Sequence, residues 1–509
     1  MFPPAPGPRE LSRSANRRSR IMRRGTVVRG ARPAVVLMAA GIAVAGALAP
    51  AIAGTAPSRA PALVRVSSDP ITKAGQEHAT EAEPDTIAVG NKVLSSFMVG
   101  NVPTCTDDIG WAFSRDGGKT WTHGLLPGLT RYSNPPGPEP SVADTTAAWD
   151  ARYKEWVVSA LNCANPGGVT VSISKDGTHW SKPISVFKGT GRDISDKDWV
   201  TCDSHPASPH YGNCYAEWDM VNKGFLVEMS TSTDGGKSWS APVATASKFR
   251  GVGGEPVVLP NGTVVVPIPA LHGLVLHDGN LDVFTSTNGG HSWGATQTIT
   301  TFHQHSLAGN LANLRLPFFP TEGVDRAGRL YLAFPDCRFR AHCASDDMVM
   351  TTSTNGTHWT AVTRIPIAPV TSTVDVWGGG LAVDPSTSGT SARLGLYYYY
   401  FPKLPCTVST CRVFLGYTSS SDGGSRWSTP RVIAGPMKLT QFGDSFPGVH
   451  YGGFAGDYVG ASAIPGGNAV AVFPLGLPAT TQKFNEPMEA IAGGEPITRG
   501  TVMRGFSPG

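Results

Sequence analysis

Charged side chains are scarce in this chain: Asp, Glu, Lys and Arg make up 16% of its 509 residues, against about 25% in an ordinary soluble protein. Scarce charge usually accompanies a well-buried chain, and 12 Trp residues argue against disorder. The apolar run Ala34–Ala49 stops at a proline, short of the ~20 residues that a membrane span needs. No cysteine spacing resembles a zinc site of the C-x-x-C type with a second pair. A Gly-x-Ser-x-Gly elbow, a phosphate-binding P-loop and a dinucleotide fingerprint after a strand are all missing. Helix-breaking residues, by contrast, are abundant. The 60 Gly and 42 Pro sit badly in helix interiors and exclude a helical bundle or coiled coil. What remains is a large, turn-rich, all-β protein.

Charge is also unevenly placed. Nine Arg and the single acid Glu10 fall within residues 1–32, and Pro33–Ala53 carries no charge. The apolar run, Pro50 and the small-residue site Ala51-Ile52-Ala53 together predict a secretory signal peptide over 1–53. Met22 offers an alternative start. The pairs Arg17-Arg18 and Arg23-Arg24 leave twin-arginine export open beside the general route. Removal of this segment leaves 33 basic and 37 acidic side chains. A weakly acidic mature chain is a poor partner for nucleic acid, and a secreted monomer without a membrane anchor is expected. All eight cysteines follow the signal, as suits an oxidising compartment. Three pairs are local, Cys202/Cys214, Cys337/Cys343 and Cys406/Cys411, which leaves Cys105 with Cys163. All four are read as structural staples across loops.

One motif organises everything after the signal. It reads Ser114-Arg-Asp116-Gly-Gly118-Lys-Thr-Trp121 and recurs around Asp176, Asp234, Asn288, Asn355 and Asp422, ending on Trp180, Trp239, Trp293, Trp359 and Trp427. The steps are 60, 58, 54, 67 and 67 residues. Asp-Gly and Asn-Gly supply the positive φ of a tight hairpin, the side-chain oxygen caps backbone N–H groups, and the Trp packs the turn on the sheet. Alternating stretches such as Val169–Ile173 precede each copy, and a further strand pair leads in, as at Thr263–Ile268 or Arg329–Phe334. Each repeat is therefore expected to be a four-stranded antiparallel blade with the motif between its third and fourth strands. A seventh repeat without the motif starts at Gly456–Ala463 and continues through Asn468–Phe473 and Met488–Ala492. Ala62–Val66 is placed to supply its fourth strand and close the ring. Seven blades are favoured over six. The expected layout is a linker with the closing strand over 54–80, the propeller over 81–500 and a tail over 501–509.

These motifs are Asp boxes, and from Glu83 to Gly476 the chain resembles the sialidase-like family of Asp-box (BNR-repeat) β-propellers. The resemblance implies a propeller with its boxes on the blade periphery, away from the active site. It also implies a glycan or other extracellular polymer as partner. Seven blades are a departure, since the enzymatic sialidases have six.

Residues opening the innermost strands should meet at one rim of the channel. They are Glu83, Glu139, Asp196 with Asp198, Glu255, Glu322 (one residue out of register), Asp375 and Asp457. A ring of carboxylates there would raise pKa values by mutual repulsion or attract a hard cation such as Ca²⁺. The alternative is that each acid bonds backbone N–H groups of the next blade. No other cofactor is expected. Beside the sialidases, Gly253–Gly262 resembles the stretch whose Glu polarises a tyrosine nucleophile, and Asp457–Gly467 resembles the strand bearing that tyrosine. By resemblance Tyr458 is the nucleophile and Glu255 its base. The three arginines that grip a sialic acid carboxylate in that family are not recognisable. The string Arg364-Ile-Pro366 follows the fifth box rather than preceding the first. Pro267-Ile-Pro269 and Ala455 stand where the other two arginines should lie. Asp107 and Asp108, the nearest acids to an acid/base position, are expected in a loop.

His303 and His305 lack a third metal ligand and are read as loop residues. Tyr397–Tyr400 is read as a strand with rings alternating between core and surface. Arg338 and Arg340, in the Cys337–Cys343 loop, are expected to be solvated, with an anionic ligand as the alternative. Two functions therefore stand side by side. One is a sialidase-like glycosidase centred on Tyr458 and Glu255. The other is a non-catalytic propeller that binds a glycan, a cell-wall polymer or a protein through its channel face. A different glycosidase would use two rim acids at ~5–5.5 or ~6.5–9.5 Å.

Overall fold

The Asp boxes fold as closely related turns, those at Asp176 and Asn355 one residue shorter than the rest, so the repeat is visible at atomic detail. In the first, the Ser114 hydroxyl accepts from the Gly118 N–H at 2.9 Å. Asp116 Oδ1 accepts from the Lys119 and Thr120 N–H groups at 3.1 and 2.9 Å, and the Trp121 indole donates to Gly118 O at 3.0 Å. The bond from Thr120 N–H is the main reason that the Asp116 carboxyl titrates down at about 2. The box at Asp234 repeats the pattern bond for bond; at Asp422 the Ser425 N–H turns to the Asp422 backbone carbonyl and the other bonds recur. The second box glycine holds φ +81° in Gly290, and a methyl there would stand 3.0 Å from the Tyr215 ring of the preceding blade. Glycine thus lets each turn lie flat on its neighbour.

The structure is a computed structural model that describes residues 61–72, 77–101, 105–271, 278–307, 311, 314–315, 319–444, 453–503 and 505–506. The expected export segment, residues 1–53, lies outside these. The sheets are seven antiparallel blades in a propeller ring, the first six read from channel to rim in chain order. Inner strands are Glu77–Val89, Val142–Ala143 with Ala147–Asp150, Ser195–Cys202, Val257–Val258, Thr321–Val324, Asp375–Val383 and Ala461–Ala463. Blade seven adds Ala469–Pro474 and Met488–Ile491, and its outer strand is Leu63–Arg65, paired antiparallel with Glu489–Ile491. The ring therefore closes between segments from opposite ends of the chain, which removes an exposed sheet edge.

The four expected disulfides are all present: Cys105–Cys163, Cys202–Cys214, Cys337–Cys343 and Cys406–Cys411. Their expected role as loop staples needs correction in two of them. Cys202 and Cys214 are directly paired residues of neighbouring strands in blade three. Cys411 is buried among Leu404, Val413 and Met437 of blade six, not held at a solvated loop. It stands two residues before the buried strand Val413–Ser420, so the sulfur enters the core with the strand it precedes, as small apolar side chains do. Cys406, its partner, is only partly buried; this bridge ties a surface turn to the core.

The core is divided among the blade interfaces. Val169, Val171 and Val157 of blade two meet Val200, Ala216 and Trp218 of blade three, and Phe97 and Val99 of blade one meet Val472, Met488 and Ala490 of blade seven. A middle strand is covered on both faces, so Leu330–Asp336 is buried throughout. The outer strand Gln297–His303 buries only Phe302. Tyr397–Tyr400 departs from the expected alternation of core and surface for this reason. Tyr397 and Tyr399 face blade seven and donate to Ala469 O and Pro474 O, while Tyr398 packs toward blade five. The expected tail also takes part: Val502–Met503 pairs with Arg426–Trp427, and Gly505–Phe506 with Thr363–Arg364. Among the described residues no helix is long and apolar enough to cross a membrane.

Box tryptophans differ in depth, and stability should follow. Trp427 is fully buried whereas Trp121 is half-buried. Trp427→Ala is expected to cost about 3–5 kcal/mol in urea denaturation and Trp121→Ala clearly less. Equal losses would show that the box, not the burial of its ring, sets the energy.

Candidate functional site

The innermost strands do not run straight at the hub. Pairing registers shift between Ala82 and Asp85, between Asp196 and Trp199 and between Trp377 and Gly379. At the first two bulges, and in the gap between the two pieces of the blade-two strand, the backbone turns left-handed at Glu83 (φ +53°), Lys197 (+51°) and Asp144 (+34°). Such bulges re-aim side chains, and these three meet. Lys197 Nζ lies 2.6 Å from Asp144, 2.7 Å from Asp457 and 3.4 Å from Glu83. Arg315 forks onto Asp457, with Nε 2.6 Å from Oδ1. The lysine is 7% exposed and the three carboxylates less.

Charge is balanced inside this knot. Burial alone would raise the Asp457 carboxyl, but Arg315 and Lys197 outweigh it and hold it at about 2. Burial pushes Glu83 well above the carboxylate range in spite of Lys197, and its carboxyl bonds that of Asp144. Burial works against the Lys197 ammonium too, yet Asp144, Asp457 and Glu83 raise its pKa well above the usual value. Two cations thus face three acids at bonding distance, as burial of charge requires.

The other expected rim acids go to several places. Glu139 lies in the loop before blade two, half-buried, its backbone bridging to Thr130; Asp144, five residues on, takes its place at the hub. Asp375 turns to blade five, accepting from the Asp346 N–H at 2.6 Å and facing His305 Nδ1 at 3.4 Å. Asp196 is half-buried, and Asp198 is buried and pushed up by that burial to about 8. Glu255 and Glu322 share one hydrogen bond. Burial raises Glu255 well above its normal value, and raises Glu322 to about 8. Asp85, absent from the expected ring, accepts from the Ala147 N–H of blade two at 2.8 Å. That is the blade-to-blade role proposed as the alternative for the whole set. Behind the ring, Glu217 and Asp219 of blade three are fully buried carboxyls, also raised by burial.

A cavity of about 590 Å³ runs along the channel from Asp457 and Tyr458 to the turns between first and second strands, where His205 and Arg326 lie. Its walls include Trp149, Trp199, Phe319 and Tyr458, and Glu255, Glu322 and Asp85 contribute carboxyls. Tyr458 lines it with its ring, edge-on to Trp199 at 5.3 Å between centroids. Its hydroxyl accepts from the Thr145 N–H at 2.9 Å and donates to Thr145 O at 3.1 Å.

Several residues thought free are engaged. Asp107 and Asp108 are buried rather than in an open loop; Asp108 opens the third strand of blade one and accepts from the Ser133 hydroxyl at 2.8 Å. Arg340 is not solvated: with Arg364 it forks onto the buried Asp347. Arg338 forks onto Asp336, and His303 bonds Asp278. The knot members Lys197, Asp144 and Arg315 were missed. Lys197 alone left a trace, as the one cation inside an acidic strand opening.

No protein-family model matches the chain, and no curated protein matches it. Among solved structures it is similar to a Hadza microbial sialidase (14% identity, TM-score 0.40), over 81% of this chain and 65% of that one. It is also similar to the NanB sialidase from Streptococcus pneumoniae (12% identity, TM-score 0.42), over 84% of this chain and 70% of that one. A third is an alpha-L-arabinanase of Penicillium chrysogenum complexed with arabinobiose (14% identity, TM-score 0.38), over 59% of this chain and 80% of that one. The chain spans just under two thirds of the length of the first of these.

Two outcomes are expected from the buried charges. Glu322 and Asp198 titrate at about 8 in the fold and near ~4 when unfolded, so the folded state keeps protons that the unfolded chain has released. Their contribution is full below about pH 4 and is lost as pH rises toward 8. Melting temperature should therefore fall from pH 5 to pH 8, and Glu322→Gln should flatten the slope; a rising curve would contradict the assignment. Lys197→Met strands the buried carboxylates and should cost about 3–5 kcal/mol at pH 7.5, with a smaller loss at pH 5, both read by denaturant titration.

Proposed function

We propose that this chain is an extracellular, glycan-directed β-propeller that takes a saccharide into its channel from the face of the first-to-second-strand turns. The observation that carries the reading is the cavity of about 590 Å³, which joins aromatic rings to carboxyl groups. Its size suits a small ligand. Trp and Tyr rings offer flat apolar faces to the C–H side of a sugar, and carboxyls bond its hydroxyls. The four disulfides support an oxidising, extracellular setting. Among the described residues Arg326 is the one arginine that lines the cavity, so an anionic sugar such as sialic acid finds no three-arginine clamp there.

Hydrolysis is the second reading, because Tyr458 and Glu255 line the same cavity. As nucleophile, Tyr458 would have to release Thr145 and pass its proton to Glu255. Glu255 and Glu322 are hydrogen-bonded to each other, which suits one proton-sharing unit better than an acid and a separate nucleophile. Calorimetric titration with neutral and amino oligosaccharides tests the binding reading. Trp199→Ala should weaken binding at least tenfold, and the absence of binding by any saccharide would end the reading. Fluorogenic glycosides tested with the wild type and Tyr458→Phe decide turnover. The binding reading expects none, and turnover lost in Tyr458→Phe would favour hydrolysis.

A further inference from the structure

The charges of this chain are sorted by depth. All 37 acids after the expected signal are among the described residues; 25 of them are buried, and Asp116 and Asp278 alone are exposed. Of the described Lys and Arg side chains, 20 are exposed and only Lys197, Arg340 and Arg364 are buried. Carboxylates are ordinarily surface groups. Burial also holds Glu217, Asp219, Glu255 and Glu486 well above the carboxylate range, so these acids carry no charge near neutral pH. A chain that is weakly acidic by composition therefore presents a cationic surface.

One continuous band of these cations crosses three blades. In a four-stranded antiparallel blade the first-to-second-strand turn and the box lie at the same end, and the Gly117 N–H of the first box donates to Asn91 O of that turn at 2.8 Å. This is the face on which the cavity opens. It carries Arg115 and Lys119 in the first box, Arg152 and Lys154 in the blade-two turn, Lys175 in the second box and Lys237 in the third, all exposed. Contacts run from blade to blade. Arg115 Nη2 donates to Asp176 O of the second box at 3.1 Å. Lys175 Nζ donates to Tyr153 O at 2.7 Å. The Tyr153 ring lies 5.5 Å from the Arg152 guanidinium and 5.7 Å from the Lys237 ammonium. Three cations from two blades thus meet at one tyrosine. The neighbouring acids are turned away from solvent: Asp116, Asp176 and Asp234 accept from N–H groups of their own turns, and Glu155, 2.7 Å from Lys175, is 3% exposed.

We infer that this band is the docking surface of an anionic extracellular polysaccharide, a chain that carries carboxylate or sulfate groups along its length. The inference concerns a surface outside the channel and does not depend on the cavity taking a sugar. Single exposed ion pairs are weak, but a polymer engages several cations at once and releases its counterions as it does so. A lipid surface fits less well, because the exposed large apolar side chains, Val370, Val432 and Val502, all lie outside blades one to three, and surface-bound proteins bury apolar groups as well. A nucleic acid strand asks for free aromatic rings on which its bases stack, and the Tyr153 ring is taken by two cations.

The experiment measures binding of the full mature chain to immobilised heparin and polygalacturonate, with neutral dextran, duplex DNA and phosphatidylglycerol vesicles beside them. Two variants remove band cations, Arg152→Gln/Lys154→Gln/Lys237→Gln and Arg115→Gln/Lys119→Gln; Lys175 is kept because it covers the buried Glu155. A third, Lys188→Gln/Arg192→Gln/Lys248→Gln, removes exposed cations beyond the fourth strands, at the opposite face. The expected result is binding of the anionic polysaccharides and not of dextran, weakening as salt rises, with roughly tenfold loss in the triple band variant and little change in the opposite-face variant. Binding of one anionic polysaccharide without the other keeps the proposal and names sulfate or carboxylate as the charged group. Equal losses in the band and opposite-face variants would overturn it, since the attraction would then belong to the whole surface. Tighter binding of DNA or vesicles, or no binding of either anionic polysaccharide, would overturn it too. If one band variant fails to fold, the other carries the decision.

Discussion

An ammonium buried at the hub holds this ring in its arrangement. Lys197 belongs to blade three, and its partners Asp144, Glu83 and Asp457 come from blade two, blade one and the strand opening of blade seven. A charge in that position is tolerated only with opposite charges at bonding distance, and Asp457 is held by Arg315 as well as by Lys197. Four blades are thereby fixed around one point, and the left-handed backbone at Glu83, Asp144 and Lys197 is the local strain that the convergence requires. The strand-opening end of the channel is consequently filled by ion pairs. The cavity lies beyond them, toward the opposite turns.

Much of the fold was legible in the residues because it rests on local chemistry. A box of eight residues dictates its own hairpin, and six copies at blade spacing leave little freedom in the architecture. Even the closing strand at Leu63–Arg65 could be placed, since the seventh repeat ended one strand short. The cysteine pairs were legible too, but not their depth: a spacing of a few residues suggests a loop and says nothing of the strand that draws Cys411 inward. The hub was less legible. Glu139 was aligned with the other strand openings by its Glu-Pro string, but the inner strand of blade two breaks after Ala143, which turns Asp144 to the channel instead. Arg315 arrives from a loop with no periodic signal. The tyrosine run misled for a related reason: alternation was read as inside against outside, whereas in a middle strand both sides are inside.

The site was legible as a list of acids and not as a set of roles. Acids at or near the strand openings do four different things here: Asp85 bonds the next blade, Asp457 neutralises cations, Asp375 faces a histidine, and Glu255 bonds Glu322. Partner identity decides each case, and partners come from segments distant in the chain. Arg340 and Arg364 are paired with Asp347, Arg338 with Asp336 and Arg315 with Asp457, while Arg326 lines the cavity beside its carboxyls.

Ring closure by Leu63–Arg65 has a consequence for biosynthesis. The other three strands of blade seven span residues 461–491, so a nascent chain leaving the ribosome builds an open arc whose final pairing waits until those strands have been made. Until then the earliest β-segment has no sheet to join, and blade one lacks one neighbour. Premature collapse of that arc, or exchange of the waiting strand between two molecules, is the hazard such an order of synthesis carries.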